Sequence, residues 1–216
     1  SLVLAASEYS KSGLIDLGVP ESKIRLVPYA LRTDYFSKPP SPVRGRVLFV
    51  GTVGYLKGIP DLAAAARALK KSHPDIEVRV VGPFELDVAN CRDFDGPTYL
   101  GQMPRNEVKS EYLNADLFVF PTISDAFGIV LMEALAAGLP IVASPNCADA
   151  VDHGVNGLRV PIHDPQAVAD AVARIVENRD MRAAMSVASK RKLDYFSPQA
   201  YRDRMSRVVA ALRESR

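Results

Sequence analysis

Sulfur has little to work with in this chain: its 216 residues include two cysteines, Cys91 and Cys147, far apart and outside any C-x-x-C spacing. Reduced thiols in a cytosolic protein are therefore expected rather than a disulfide framework. Cys147 reads as a small buried side chain, because no histidine partner marks it as a nucleophile. Histidine is just as sparse. His73, His153 and His163 are scattered without ligand spacing, which argues against a metal site. An excess of one charge is also missing: 27 basic residues balance 25 acidic ones, for a net charge of +2. Nucleic acid and anionic membrane are thereby excluded as expected main partners. Residues 128–143 form the longest apolar stretch, but Glu133, Gly138 and Pro140 interrupt it, so no transmembrane segment is expected. No secretory leader is expected from the residues present.

What is there is ordinary soluble composition, 48% hydrophobic and 24% charged. The length suits one large domain, or one domain with a piece of another. Ser1–Ser7 reads as the middle of a strand, so a fragment lacking its N-terminal part is expected. A helix over Glu8–Leu17 and a strand over Lys23–Val27 follow, and the Pro-dense run Lys38–Pro42 is the best candidate linker. From there strands alternate with helices. Strands are predicted at Arg46–Val50, Ile76–Val81, Thr98–Leu100, Asp116–Phe120, Ile141–Ala143 and Gly157–Val160.

Pro60 opens a helix with Leu62, Ala65, Ala66 and Leu69 on one face, and Pro104 opens another that ends near Asn114. Asp164-Pro165 caps a third, with Val168, Ala171, Val172, Ile175 and Val176 at helical spacing. Two more, Arg179–Leu193 and Pro198–Arg213, close the chain. Tyr201, Met205, Val208, Val209 and Leu212 make an apolar stripe on the last, expected to pack on the core or on a neighbouring domain. Lys190-Arg191-Lys192 reads as a solvated face. This alternation predicts an α/β fold: a doubly wound, Rossmann-like parallel sheet with ligands at the carboxyl ends of its strands.

Two loops fall on that edge. After Phe120 a polar loop leads to Gly128, which opens a helix through Ala137, stopped by Gly138 and Pro140. The first-turn amides of such a helix lack intrahelical partners and carry its positive dipole end, which makes an anion site. Asp125 in the loop and Glu133 in the helix flank it. Carboxylates repel phosphate, so they should face uncharged hydroxyls, and a sugar nucleotide offers both a diphosphate and hydroxyl-rich rings. The other loop is Gly51-Thr52-Val53-Gly54-Tyr55-Leu56-Lys57-Gly58, where glycines admit close approach and Lys57 can reach a phosphate. Its G-x-x-G-x-x-x-G spacing matches neither the G-x-G-x-x-G of dinucleotide folds nor a P-loop.

These residues resemble the retaining GT-B glycosyltransferases of family 4, also called glycosyl transferases group 1, over essentially the whole chain. The most specific likeness is Asp125-x7-Glu133 followed by Ala136-Ala137-Gly138-Leu139-Pro140. Phe49-Val50-Gly51, Lys57-Gly58, Gly101, Ala115-Asp116 and Gly154-Val155-Asn156-Gly157 support it. The resemblance implies a C-terminal half that binds a nucleotide-sugar donor across residues 41–195. Residues 1–40 would be the remnant of an acceptor domain with its connector, and residues 196–216 a helix packing back on the core or toward that missing domain.

It also implies roles. Lys57 and Asp125 would be catalytic: Lys57 neutralises the leaving diphosphate, and Asp125 accepts from donor-sugar hydroxyls. Gly51, Thr52, Phe127, Gly128, Ile129 and Val130 would surround the phosphates, Glu133 would take the ribose, and Gly101 and Met103 would frame the base. Such a site implies no cofactor, no divalent metal and no D-x-D metal segment. The implied activity is hexosyl transfer from a UDP-, GDP- or similar sugar to a glycan, lipid-linked or small-molecule acceptor. The location would be cytoplasmic, with peripheral membrane attachment of the whole protein left open. Three departures stand out: Asp125 replaces the usual Glu, Thr52 the usual Arg, and Cys147-Ala148 the usual Gly-Gly. Two other readings stay open, a non-catalytic phosphate-ligand or interaction module of flavodoxin-like shape, and a GT-B sugar-nucleotide epimerase.

Overall fold

A computed structural model of the chain describes residues 2–32 and 34–214. Ser1, Thr33, Ser215 and Arg216 lie outside the described residues, and with them the first residue of the expected opening strand, one residue of the connector and the end of the C-terminal segment. The chain opens with β1 (Val3–Ala5), α1 (Glu8–Asp16) and β2 (Ile24–Leu26), and the two strands pair in parallel as a small separate sheet. Ser7 caps α1 through a reciprocal bond with Ser10.

The main sheet is built from β3 (Arg46–Val50), β4 (Glu77–Val81), β5 (Thr98–Gly101), β6 (Leu117–Phe120), β7 (Ile141–Ala143) and β8 (Gly157–Arg159). All its ladders are parallel and the order is β5-β4-β3-β6-β7-β8. Growth runs outward from β3 on one side and from β6 on the other, so the order reverses between those two strands. That reversal is where an open α/β sheet leaves a crevice beyond its carboxyl edge. The loops after Val50 and after Phe120 border it, as expected. Val47, Leu48 and Phe49 in β3 and all four residues of β6 are buried, because helices cover both faces of the sheet.

Those helices are α2 (Ile59–Ser72), α3 (Arg105–Asn114), α4 (Ile129–Ala137), α5 (Pro165–Glu177) and α6 (Arg179–Lys192). Leu62, Ala65, Ala66 and Leu69 are buried on α2, and Val168, Ala171, Val172, Ile175 and Val176 on α5. Asp164 caps α5 by accepting from the Ala167 amide at 2.9 Å, with Pro165 at the first helical position. The Pro-dense break has no regular element, but Ser41 and Val43 donate to the Leu113 and Asn114 carbonyls at the end of α3. That ties the break to the sheet domain.

One surface expectation changes and another is narrowed. Lys192 bonds both Asp152 oxygens, at 2.8 and 2.9 Å, and the Lys190 stem lies over Gly138, so the basic run is only partly a solvated face. On α7 (Pro198–Glu214), Val208 is buried but Val209 is 43% exposed. The stripe is therefore not core packing along its length; α7 docks through Val208 and through Arg204 set 4.0 Å over the Tyr195 ring. Among the described residues, no helix is long and apolar enough to cross a membrane.

Candidate functional site

The β3 and β6 loops are laced together by backbone chemistry. The Leu56 carbonyl accepts from Thr122 Oγ1 and the Ile123 amide, both at 2.9 Å, and from the Ser124 amide at 3.3 Å. Gly58 makes this approach possible. Its φ is +71°, and a Cβ there would lie 2.0 Å from the Pro121 carbonyl oxygen. The lacing sets Lys57 beside the second loop, and its Nζ donates to Asp125 Oδ2 at 2.7 Å. Both side chains are partly covered, at 27% and 17% exposure.

Beyond Lys57, Asp125 is held at two points, the second braced in turn. Its Oδ1 accepts from the Phe127 amide at 3.1 Å, its own amide donates to the Asn146 carbonyl, and Asn146 Nδ2 donates to the Ile123 carbonyl. It is therefore a local loop cap and the partner of Lys57 at once. Gly128 follows at φ +72°, packed on the Phe120 ring, and no side chain caps the first turn of α4 beyond it. The Ile129 and Val130 amides open that turn at its positive end. Gly51 also abuts Phe120, and Lys57 Nζ lies 6.0 Å from the centre of the same ring. Gly51, Lys57 and Gly128 are thus gathered around Phe120, with Asp125 bonded to Lys57 and Phe127 to Asp125. Thr52 follows Gly51 in the first loop.

Glu133, in the second turn of α4, accepts from the Tyr35 hydroxyl at 2.6 Å. Gly101 and Met103 lie two strands from β3. Gly101 reaches the centre only through Gly82, whose amide donates to the Gly101 carbonyl and whose Cα faces the Gly51 carbonyl. Phe84 packs beside Gly101 and bridges to Val53.

Residues from the first 30 positions enter this site too, unforeseen from sequence. Ser7 Oγ donates to the Ala126 carbonyl at 2.6 Å and Tyr9 to Ser124 Oγ at 2.9 Å, while the Tyr29 ring meets Phe127 edge-on at 5.0 Å. These contacts join residues about a hundred positions apart or more, and no periodicity could announce them. An aromatic count over residues 28–36 was the one available signal.

Cys91 and Cys147 are free thiols. Burial, then the nearby Asp125 charge, push the Cys147 thiol up to about 12, so it stays protonated and is not a nucleophile. One expectation needs correcting: the sequence does contain a D-x-D spacing, Asp93-Phe94-Asp95. It forms a 3-10 turn on a buried Phe94, and its backbone carbonyls accept from Arg67. Among the described residues, no three His, Cys, Asp or Glu side chains are grouped to hold a metal.

Comparison with known proteins bears on the family and the fold. The profile of the family glycosyl transferases group 1 matches residues 33–192. The D-inositol 3-phosphate glycosyltransferase of Corynebacterium jeikeium is 32% identical over 192 residues, covering 79% of this chain and 45% of that protein. An amylovoran biosynthesis glycosyltransferase of Erwinia amylovora is 26% identical over 89% of this chain and 52% of its own. Across the curated relatives named here, this chain spans about half of their length. Among solved structures, sucrose-phosphate synthase from Thermosynechococcus elongatus superposes with a TM-score of 0.80 at 23% identity, over 100% of this chain and 59% of that one. Anabaena HepE in complex with UDP-glucose gives 0.80 at 17% identity, over 98% and 64%. At those identities the structures show the fold alone, an α/β parallel sheet of GT-B type. With the profile covering most of its length, this chain belongs to the glycosyl transferases group 1 family.

Proposed function

We propose that this chain is the donor-binding half of a retaining, metal-independent hexosyltransferase of family 4, using a UDP-, GDP- or similar nucleotide sugar. The observation that carries the reading is the Lys57–Asp125 pair at the mouth of α4, with Glu133 farther along the same helix. An ammonium has three donors, and Asp125 takes one, so two remain for phosphate oxygens. Lys57 also cancels the Asp125 charge, which removes the repulsion a bare carboxylate would exert on a diphosphate. As the sugar leaves, negative charge grows on the diphosphate. Lys57 and the amides of Gly128, Ile129 and Val130 are fixed in advance to meet it, while the Phe127 amide holds Asp125 in place and Gly51 and Thr52 close the other side. Asp125 turns its remaining lone pairs to the sugar hydroxyls, Glu133 takes the ribose, and Gly101 and Met103 frame the base.

Residues 1–40 belong in this reading to an acceptor domain and its connector, residues 41–195 to the donor domain, and residues 196–216 to a closing helix. The acceptor, whether glycan, lipid-linked or small molecule, would meet the part of the protein that carries the rest of that first domain. The whole enzyme would work in the cytoplasm, free or attached at a membrane surface.

The reading has a direct test in calorimetric titration of the chain with UDP, GDP and inorganic phosphate. It predicts weak but measurable binding of one nucleoside diphosphate, tighter than phosphate by at least roughly tenfold, and no sugar transfer by the chain alone. Equal affinity for phosphate and both nucleotides would favour a plain anion-binding module instead.

A further inference from the structure

Glu133 is the carboxylate assigned to the ribose, and it is already engaged by a residue from outside the donor domain. Tyr35, on the connector, donates its hydroxyl to Glu133 Oε1 at 2.6 Å across 98 positions of sequence. Tyr35 itself is clamped by α3. Lys109 Nζ donates to the Tyr35 carbonyl at 2.7 Å and sits 4.0 Å from the ring centre. The Arg105 guanidinium lies 5.4 Å from the same centre, and its Nε reaches the hydroxyl at 3.3 Å. Phe36, packed edge-on against Tyr35, continues into the core through Tyr112. A phenol fixed by two cations and a core contact is a post and not a swinging gate.

We propose that Tyr35 is a positioning residue for nucleoside recognition: it fixes the Glu133 carboxylate through Oε1, so that Oε2 is presented to the ribose diol. The inference rests on the assignment of Glu133 to the ribose. A carboxylate offers about four lone-pair sites, so the Tyr35 phenol, the nearby Tyr112 phenol and a diol fit together. Burial first, and the Glu133 carboxylate after it, push the Tyr35 phenol up, so it stays a donor throughout the neutral range. Because Tyr35 lies on the connector and Glu133 on α4, nucleoside binding is sensitive to where the connector sits. Any movement of the connector that withdraws Tyr35 frees Glu133 to turn away.

The test compares UDP with pyrophosphate, which lacks the ribose, by calorimetry on the chain and on Tyr35→Phe, Glu133→Gln and their combination. Tyr35→Phe is expected to weaken UDP roughly 3- to 10-fold, the range of one ordinary hydrogen bond because Tyr35 reaches the ribose only through Glu133, while pyrophosphate moves less than about twofold. The double variant should lose no more than Glu133→Gln alone, since both act through one carboxylate. Unchanged or tighter UDP binding in Tyr35→Phe overturns the proposal, and so does an equal loss for both ligands. Should Tyr35→Phe melt well below the parent, Lys109→Met, which loosens the clamp and keeps the phenol, must show the same UDP-selective loss. If Glu133→Gln leaves UDP unaffected, the ribose assignment itself fails. If Glu133→Gln weakens UDP and Tyr35→Phe does not, only the positioning role fails.

Discussion

Lys57→Ala lowers the affinity of the chain for its nucleoside diphosphate by roughly 10- to 100-fold, the range expected for one charge-assisted contact. Two effects of the same sign combine. The ammonium no longer meets the phosphate oxygens, and Asp125, whose Oδ2 it held at 2.7 Å, is left as an uncompensated anion beside the ligand. The second effect distinguishes this site from a generic surface lysine, and removing both charges exposes it. Lys57→Ala with Asp125→Asn is expected to bind UDP more tightly than Lys57→Ala alone. Calorimetry at constant ionic strength reads both numbers, since salt screens the partly exposed pair. A loss below about threefold in Lys57→Ala, or a double variant no better than the single, removes Lys57 from the phosphate site.

The second large effect concerns stability. Asp116, fully buried just before β6, accepts from Arg179 at both carboxylate oxygens, 2.6 and 2.8 Å, and from the Gly45 amide at 3.0 Å, while Arg182 Nε pairs with its Oδ1 at 3.0 Å and donates to its backbone carbonyl at 3.1 Å. It ties α6 and the turn before β3 to the middle of the sheet. Asp116→Asn leaves two guanidinium groups without their anion, and breaking a buried pair costs about 3–5 kcal/mol. The lower end applies, because the Arg179 side chain is 39% exposed. The expected result is about 3 kcal/mol less stability by urea unfolding near pH 7, or a melting point lower by roughly 6–12 °C.

The same cluster sets a pH dependence. Burial pushes the Asp116 carboxyl up, but the Arg179 bond, the Gly45 amide and the charges of Arg179 and Arg182 outweigh it, and the net shift is downward. A carboxyl depressed in the folded state contributes stability above its unfolded pKa of about 3.9 and loses it as pH falls toward the folded value. The stability gap between parent and Asp116→Asn should therefore hold from pH 7 to about pH 5 and narrow below about pH 4. A gap that stays constant down to pH 3 contradicts the assignment.

Much of this molecule could be read from local signals. Strands at Arg46–Val50 and Ile141–Ala143 fall where the apolar runs put them, and Gly138 stops α4 in the left-handed conformation that glycine allows. Asp164-Pro165 and the α5 stripe were as plain, because caps and helical periodicity act over a few residues. Asp125 and Glu133 were visible because they flank a strand–loop–helix junction. Their pairings were not. Lys57 lies 68 positions from Asp125 and Tyr35 lies 98 from Glu133, and pairings at that range follow from sheet order, which no short window encodes. Asp116 was read as the start of a strand because its arginines arrive 63 residues later on α6. The α7 stripe left two coverings open for a related reason: periodicity shows that a face is apolar, not what covers it.

The central claim is that the Gly51–Gly58 loop and the α4 N-terminus grip one diphosphate between them. Amide shift mapping of the labelled chain during titration with UDP tests it most directly. The account predicts that the largest shifts fall on Gly51, Thr52 and the Phe127–Val130 amides, with Glu133 moving as the ribose engages, and that the Phe127–Val130 shifts shrink in Lys57→Ala. Saturable shifts confined to α7, α5 or the β1–β2 sheet, with those amides unmoved, would contradict it.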